Sequence, residues 1–313
     1  MTEQYTPSVS IITPSFNQAD YLEETIQSVL SQNYPEMEYL IVDGGSTDES
    51  VEIIERYADQ LAWWVSEPDK GQSDGINKGF RKATGDIVCW VNSDDVLMPQ
   101  AVEKAVKVFN EYPDAAMIYG DVYSIDETGK TFNEMKYGDW GLKDLMQFSI
   151  IGQPAVFMRR EAVHASDYLE VSFQYLMDHH LWLRLAQEGE IVHVPEFFAK
   201  ARYHGEAKNI VQAANFGVEA FRLVGWMRSQ PMTSRLMKED HFWKKVEAGA
   251  HRFNARYLLD AGLAKQAFRE YRKSFSLSPV VALKEWHRWL FSALSICGLG
   301  FLGKTYYAMK NKS

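Results

Sequence analysis

The chain has 313 residues, of which 46% are hydrophobic, 13% aromatic and 24% charged. This composition supports a large buried core, so disordered, collagen-like and coiled-coil classes are excluded. Lys and Arg total 33 against 42 Asp and Glu, and the resulting net charge of −9 argues against a nucleic-acid partner. Two cysteines, Cys89 and Cys297, stand alone in apolar runs, which indicates a reducing compartment and no zinc site.

The N-terminus carries no pattern typical of export, and the one membrane-suggestive segment of the chain lies near the C-terminus. The first residues lack the basic and apolar regions of a signal peptide. Residues 289–303 are uncharged, but this run is shorter than the ~20 residues that a spanning helix needs, and three glycines interrupt it. We therefore expect a cytoplasmic protein.

The first half of the chain alternates β-rich runs with amphipathic helical patterns, which predicts βαβ units and a mainly parallel sheet. The first helix is expected to begin at Asp20, because Asp20 and Glu23 have the spacing of a capping box. The most apolar run, residues 86–91, is predicted to lie centrally, where a strand is buried on both faces. Strands are expected at residues 8–12, 39–42, 61–65, 86–91 and 115–119, with helices at about 20–30, 49–57 and 73–82.

The second half has a looser pattern, with a helix predicted near residues 173–187 and a strand near 190–194. From about residue 214 the pattern is helical to the end. Within it, residues 257–279 resemble one tetratricopeptide-type helix hairpin, with Gly262 at the turn and Pro279 at its close. Since one such unit cannot bury its own apolar face, it is expected to pack on the main domain or on a partner.

Polar clusters directly follow three of the predicted strands, at residues 13–17, 43–48 and 92–95. Ligands of open parallel sheets bind beyond the carboxyl ends of the strands, so the clusters are predicted to converge on one crevice. Asp94 and Asp95 are adjacent there, and a hard divalent cation bound with substrate phosphates would relieve their repulsion. The alternative for Ser-Asp-Asp taken alone is a polar turn that caps the next helix.

Asp43 and the segment 67–79 are predicted to reach the same crevice. Asp43 precedes two glycines, which would let the backbone approach a ribose or base closely; a turn before a helix capped by Ser46 or Thr47 is compatible with that role. In the segment 67–79, Lys70 is a candidate phosphate contact. A solvated helix N-terminus explains Lys70, Asp74 and Lys78 of this segment equally well.

These clusters resemble, in order and spacing, the motifs of family 2 glycosyltransferases with the GT-A fold. The motifs are TPSFN at 13–17, VDGGSTDES at 42–50, EPDKGQSDGINKG at 67–79 and VNSDD at 91–95. The resemblance is strong over residues 8–123, weaker to about 210 and absent beyond. It implies a Rossmann-like, mainly parallel sheet flanked by helices over residues 1–213, with a nucleotide-sugar half at 1–123 and an acceptor half at 124–213. A helical extension would occupy 214–313.

The resemblance also implies a reaction: transfer of a sugar from a nucleotide-diphosphate sugar to an acceptor hydroxyl, with inversion. Mg²⁺ or Mn²⁺ would neutralise charge on the leaving diphosphate. The implied metal ligands are Asp95 and His204, the histidine closing an Arg-x-His run at 202–204. The implied donor-binding residues are Thr13, Pro14, Asn17, Asp43, Lys70, Asp74, Asn77 and Asp94.

Inversion by a single displacement needs a general base, and the family places an acidic residue at the start of a helix in the second half. Asp178 fits this position, and burial against Trp182 and Phe173 would raise its pKa toward a working value. His179 is the competing base, and an ordinary helix residue is the remaining alternative. The loop 205–215, which contains Lys208, is a candidate lid over the donor, while Gln153 and Pro154 resemble the family's acceptor-side segment.

Two departures from the family's processive polysaccharide synthases predict a non-processive enzyme of surface polysaccharide or lipid-linked glycan synthesis. Residues 285–289 keep only the Arg-Trp of the synthases' Gln-x-x-Arg-Trp sequence. The synthases also have several transmembrane helices, and this sequence predicts none. The aromatic, Lys-containing C-terminal tail is either a contact with the inner face of the plasma membrane or a helix packed on the protein. The alternative function is a non-catalytic, nucleotide-binding regulatory or scaffold protein. An oxidoreductase is set aside, since no glycine-rich turn follows the first strand.

Overall fold

The computed structural model describes residues 6–204, 212–231 and 238–299. The chain divides into two compact units. The first comprises Met1–Gly141 and Ile151–Tyr203, and the second comprises Leu142–Ile150 and His204–Ser313. The division therefore falls at Tyr203, and the helical unit takes in a short segment from the middle of the chain. Lys208 and most of the predicted lid lie outside the described residues.

A nine-stranded sheet forms the centre of the first unit within the described ranges. Its strands follow the order β3-β2-β1-β4-β8-β6-β9-β5, and β7 pairs with β6 off this path. The strands are β1 (Val9–Ser15), β2 (Met37–Asp43), β3 (Trp63–Ser66), β4 (Ile87–Trp90), β5 (Val96–Leu97), β6 (Ala115–Ile125), β7 (Thr131–Met135), β8 (Val156–Arg159) and β9 (Glu190–Arg202).

The predicted α/β class is confirmed, and so is the interior position of β4, which lies between β1 and β8. Parallel pairing holds throughout β1–β4. Beyond them the sheet is mixed, because β8 runs antiparallel to both β4 and β6 whereas β9 runs parallel to β6. The sequence patterns did not indicate β5, β7 or β8. β5 has only two residues and β7 is mostly exposed, so neither carries a clear apolar period.

Helices cover the sheet of the first unit and make up most of the second. Those of the first unit are α1 (Ala19–Leu30), α2 (Ser50–Arg56), α3 (Gln72–Lys82), α4 (Ala101–Glu111), α6 (Arg160–Ala165) and α7 (Met177–Glu188). Those described in the second are α5 (Leu142–Met146), α8 (Ala213–Ser229), α9 (Asp240–Asp260), α10 (Ala264–Leu277), α11 (Pro279–Ala282) and α12 (Trp286–Ile296). Single 3₁₀ turns lie at Ala58–Gln60, Gln153–Ala155 and Leu283–Glu285.

The start of α1 differs from the predicted capping box. The helix begins at Ala19, and neither Asp20 nor its N-cap residue supplies a side-chain cap. Instead, the Ala19 N–H donates to Asp48 Oδ2 at 3.0 Å and the Gln18 N–H donates to Ser50 Oγ at 3.1 Å. The cap therefore comes from the loop after β2, and it joins the loops that follow two neighbouring strands.

Close packing of α3 on β1 depends on a glycine. A Cβ at Gly79 would lie 2.4 Å from Cγ2 of Ile12, which is fully buried in β1. Since real Cβ atoms do not approach this closely, only glycine allows α3 to sit at its present distance from the sheet. This packing positions the first turn of α3 at the carboxyl edge of the strands.

The second unit contains the predicted helix hairpin as α9 and α10. Gly262 lies in the left-handed region with φ +77° at the turn, and Pro279 begins α11. The aromatic side of α10 packs on Trp289 of α12 through Phe275, whose ring centroid is 5.2 Å away. Helix α12 thus covers part of the hairpin within the same unit. Among the helices of the described ranges, none is both long and apolar enough to cross a bilayer.

Candidate active site at the carboxyl edge of the sheet

The loop after β2 is organised around the Asp43 carboxylate, which is fully buried. In the sheet Asp43 lies between Ser15 of β1 and Ser66 of β3, so it stands at the shared carboxyl end of three parallel strands. Its Oδ2 accepts from the Gly45 and Ser46 N–H groups at 3.0 and 2.8 Å and from Ser66 Oγ at 2.7 Å. The carboxylate therefore shapes the Gly-Gly turn, as the turn alternative predicts. The cap expected with that turn is wrong, because α2 begins at Ser50 and neither Ser46 nor Thr47 caps it. The contact of Asp43 with a nucleoside stays a prediction.

The loop after β4 holds its two carboxylates in different environments. Asp95 is buried, with Oδ1 accepting from the Arg202 N–H at 3.0 Å and Oδ2 from Asn92 Nδ2 at 2.9 Å. Its own carbonyl accepts from Thr25 Oγ1 at 2.7 Å. Asp94, by contrast, is half-buried. Burial, and then the negative charge of Asp94, raise the pKa of Asp95 well above its ordinary value.

A chain of amide side chains connects this loop to α3 and to the 3₁₀ turn at Gln153. Gln72 Nε2 donates to Asn92 Oδ1 at 2.8 Å, and Asn92 Nδ2 donates to Gln153 Oε1 at 3.0 Å. Gln153 Nε2 in turn donates to the Trp90 carbonyl at the end of β4 at 2.7 Å. The network orients Asn92 and Gln153 at the edge of the sheet.

The loops after β2 and β3 meet at glycines. A Cβ at Gly44 would lie 2.8 Å from Asp69 Oδ2, and one at Gly75 would lie 3.0 Å from the same oxygen. Because neither residue has a side chain, the Asp69 carboxylate fits between the Gly-Gly turn and the first turn of α3. The predicted convergence of the post-strand clusters on one edge is therefore observed in the first unit.

Asp178 reaches the same edge from the second half of the sheet. It is half-buried in the first turn of α7, directly after Met177, whose Sδ lies 2.8 Å from Ser73 Oγ in the first turn of α3. One turn later Trp182 stacks on Trp90 with ring centroids 5.3 Å apart. The amino-terminal ends of α3 and α7 are thus adjacent, and Asp178 lies beside the helix that carries Gln72. Its role as a base stays a prediction.

The remaining predicted donor residues fall into two groups. Thr13 and Pro14 are buried in β1, and Thr13 Oγ1 accepts from Tyr39 OH at 2.9 Å. Asn77 is also buried, and its side-chain amide both donates to and accepts from the Leu169 backbone, at 2.8 and 2.9 Å. These contacts give Thr13 and Asn77 structural roles, so direct donor binding by either stays a prediction.

The second group faces outward at the carboxyl edge. Asn17, in the left-handed region with φ +51°, accepts at Oδ1 from the Thr47 N–H at 2.8 Å. Lys70 is exposed, and its N–H donates to Asp74 Oδ2 at 3.1 Å. Asn17, Lys70 and Asp74 are therefore accessible to a ligand at this edge, unlike Thr13 and Asn77.

The carboxylates of the loop after β4 suit a hard cation only if a bound ligand supplies the remaining coordinating oxygens. Within the described residues, no group of three or more His, Cys, Asp or Glu side chains is arranged to hold a metal ion. The half-buried Asp94 beside the buried Asp95 supplies the one or two carboxylates that Mg²⁺ uses when substrate phosphates provide other oxygens. His204 is buried, but it belongs to the second unit, so its metal role stays a prediction.

Arg202 stabilises the loop after β4, a role that the sequence does not indicate. In the sequence Arg202 is only the start of an Arg-x-His run. In the structure its Nε donates to the Asp94 carbonyl at 3.0 Å and its backbone N–H donates to Asp95. Thr25, the other missed residue, lies 70 positions from Asp95. Neither residue carries a local signal for these contacts, because both partners are distant in the chain.

A sequence profile described as glycosyl transferase family 2 matches residues 10–163, which contain β1–β4 and both loops just described. The chain belongs to this family. Chondroitin synthase of Escherichia coli is 26% identical over 253 residues, which are 77% of this chain and 37% of that protein. The chain spans between 30% and 65% of the length of the curated relatives it matches.

Two solved structures have the same fold. Staphylococcus aureus TarS 1–349 in complex with UDP-GlcNAc aligns with a TM-score of 0.60 at 16% identity, covering 88% of this chain and 90% of that one. The mannosyltransferase PcManGT of Pyrobaculum calidifontis, in complex with GDP-Man and Mn²⁺, aligns with a TM-score of 0.61 at 19% identity, covering 98% and 87%. The GT-A fold expected from the motifs is thereby confirmed.

Proposed function

We propose that this chain is an inverting glycosyltransferase that moves a sugar from a nucleotide-diphosphate sugar to an acceptor hydroxyl. The observation that carries the proposal is that three segments lie at one edge of the sheet: the loop after β4, the first turn of α7 and the loop after β2. They are connected there by the contacts Gln72–Asn92 and Ser73–Met177 and by the glycines around Asp69. An acidic residue for a cation and an acidic residue for a base are the two groups that a metal-assisted displacement requires.

The donor side is proposed to use Asp94 as the carboxylate nearest the diphosphate. Asp95, the metal ligand implied by the resemblance, is buried and each of its oxygens accepts one hydrogen bond, so in this proposal it shares the cation with the more exposed Asp94. Asp94 and Asp95 would hold Mg²⁺ or Mn²⁺ together with oxygens of the donor, and PcManGT, with its bound Mn²⁺ and GDP-Man, supports divalent metal use. When bound, the cation would stabilise negative charge on the leaving diphosphate.

The acceptor side is proposed to use Asp178 as the general base. Its carboxylate would take the proton of the acceptor hydroxyl while the hydroxyl oxygen bonds to the anomeric carbon of the sugar. The bond from that carbon to the diphosphate oxygen breaks in the same step, so the configuration inverts. Asp178 is half-buried, directly follows Met177, which contacts Ser73 of α3, and lies one turn from the Trp90–Trp182 stack. In this proposal, that packing limits the access of water to the reacting atoms.

The acceptor is proposed to be a growing polysaccharide or a lipid-linked glycan. Support comes from the similarity to the E. coli chondroitin synthase, which covers most of this chain. A cytoplasmic location and transfer of a single residue stay predictions from the sequence. A non-catalytic nucleotide-binding protein with the same fold is separated from the enzyme by the experiment below.

The test measures donor binding and turnover separately. Melting temperature is recorded with nucleoside diphosphates and nucleotide-sugars, with and without Mn²⁺, since a ligand of the native state alone raises it. Release of the nucleoside diphosphate is then followed with the best donor. Asp94→Asn should abolish the Mn²⁺-dependent shift. Asp178→Asn should keep the shift and lower turnover by about 100-fold or more, the usual contribution of a general base.

Asp240→Asn is the matched control, because Asp240 is also an acidic residue in the first turn of a helix but lies exposed on α9. It should change neither measurement. Full turnover in Asp178→Asn would reject the assignment of the base. A donor-dependent shift without hydrolysis or transfer by the unmodified protein would favour the regulatory protein, and no shift with any donor would reject both functions.

A further inference from the structure

Helix α12 has a row of apolar side chains that faces solvent, besides the side that packs on α10. Trp286 and Leu290, four residues apart, are 58% and 52% exposed, while Ser292 on the opposite side is fully buried. Cys297, seven residues after Leu290, is exposed as well. A surface helix of a soluble protein normally buries its apolar stripe and exposes its polar one. Helix α12 packs one apolar side on α10 through Trp289 but leaves a second apolar stripe, with Trp286 and Leu290, exposed, so this second stripe requires another surface to cover it.

The exposed apolar surface extends along the chain before α12. Val280 in α11 and Leu283 in the following 3₁₀ turn are 73% and 48% exposed. With Trp286 and Leu290 they recur every three or four residues through an almost continuous helical run. We call Val280, Leu283, Trp286 and Leu290 the outward face. Four large apolar side chains in one row form a patch of the kind that marks a protein or membrane contact.

The chain segment that carries the outward face is cationic, although the whole chain has a net charge of −9. Residues 264–299 contain six basic and two acidic residues. Both acidic side chains are turned inward: Glu285 is 8% exposed beside Arg252 and Arg256, and Glu270 is 12% exposed with His251 at 2.6 Å. The basic residues of this region are Lys265, Arg269, Arg272, Lys273, Lys284 and Arg288. Two of them have an acidic partner, since Lys273 pairs with Glu270 and Arg288 pairs with Asp260 of α9.

We infer that the outward face rests on the surface of an anionic lipid bilayer. Tryptophan and leucine in a row, bordered by Lys and Arg, are the combination that binds the boundary between headgroups and acyl chains. A second copy of the chain is a poorer occupant, because a two-fold interface would bring the same cationic borders together. Residues 300–313 add Lys304, Lys310 and Lys312 and no acidic residue, so their sequence favours the same surface.

This inference goes beyond the proposed function by assigning the helical unit a lipid partner, and it is tested by binding alone. The full chain is sedimented with phosphatidylcholine vesicles and with vesicles that also contain phosphatidylglycerol. Binding should require phosphatidylglycerol and weaken as salt rises, because the cationic border is solvent-exposed. Leu290→Ser and Trp286→Ser should each lower partitioning about tenfold, since each removes an apolar side chain from the contact.

Val218→Ser is the matched control, because Val218 on α8 is 71% exposed but lies outside the outward face. It should bind vesicles as the unmodified chain does. Lys284→Glu should weaken binding only where phosphatidylglycerol is present. Since these side chains are exposed, melting temperatures should stay within a degree or two of the parent, about what a surface substitution gives.

Three results would overturn the inference. The first is no sedimentation of the unmodified chain with anionic vesicles, and the second is equal sedimentation with both vesicle types. The third is a dimer in solution that Leu290→Ser converts to monomer, which would make the face an interface between copies. Vesicle sedimentation does not depend on donor binding or turnover, which the experiments on Asp94 and Asp178 measure. The two proposals can therefore fail independently.

Discussion

Replacing Arg202 with alanine tests whether the loop of Asp94 and Asp95 depends on a buried cation at the end of β9. The Arg202 side chain is 1% exposed. Its guanidinium donates to three backbone carbonyls and to Glu24 Oε2, and it lies over the Tyr21 ring at 4.9 Å. In the alanine variant, the carbonyl of Asp94 would lose a charged donor while remaining largely shielded from water.

The magnitude follows from burial. Hydrogen bonds to charged groups contribute about 1.5–3 kcal/mol each when measured singly, but those of one side chain are not additive. Removing one partner of a buried pair costs about 3–5 kcal/mol. Glu24 is 52% exposed, so water will solvate its carboxylate in the variant and moderate the loss. We therefore expect Arg202→Ala to lower the free energy of unfolding by about 3 kcal/mol, at the low end of that range.

Arg228→Ala is a matched control. Arg228 also pairs with one glutamate, Glu247 at 2.6 Å, and also lies over one aromatic ring, Trp243 at 4.8 Å. Its side chain is 48% exposed, however, so its loss should cost about 1 kcal/mol or less. Since the two arginines belong to different compact units, urea unfolding followed by circular dichroism should be combined with hydrogen exchange of each segment.

Hydrogen exchange gives the site-specific result. Arg202→Ala should speed exchange of amides in the loop after β4 and weaken the Mn²⁺-dependent donor shift, whereas Arg228→Ala should do neither. Arg202→Lys should recover only part of the loss, because an ammonium group cannot reproduce the fork of the guanidinium. Equal unfolding free energies for the two alanine variants, with unchanged exchange in the loop, would refute the assignment of Arg202 as a positioning residue.

Two further predictions concern packing and pH. Gly79→Ala should lower the free energy of unfolding in urea by about 1–3 kcal/mol, because the added Cβ would press on Ile12. Gly225→Ala in α8 is the control and should raise the free energy of unfolding by about 0.5–1 kcal/mol, because the space around Gly225 is open. Effects of the same sign in the two variants would contradict the close packing of α3 on β1. Although burial alone would raise it, a hydrogen bond from His251 lowers the pKa of Glu270 to about 2. The stabilisation by this pair should be complete above the unfolded-state pKa near 4.5 and disappear as pH falls toward about 2, and Glu270→Gln should flatten that part of the melting-temperature profile.

The sequence predicted most of the first four strands because their signals are local. Each apolar run is short and bounded by turn residues, so β1, β2 and β4 were located to within a few residues. The parallel pairing of these strands then required that the polar residues after them share one edge. The sequence therefore determined the family, the edge of the sheet at which the candidate site residues gather, and the identity of the candidate carboxylates.

Only the tertiary structure decided the burial and the hydrogen-bond partners of those carboxylates. Asp94 and Asp95 are neighbours with similar local signals, yet Arg202, 107 residues from Asp95, occupies one oxygen of Asp95 and leaves Asp94 nearer to solvent. Asn77 is likewise held by Leu169, 92 residues away. Apolar periodicity reports whether a side chain faces the core, but hydrogen-bond partners at such separations depend on which strands become neighbours, and no local pattern encodes that.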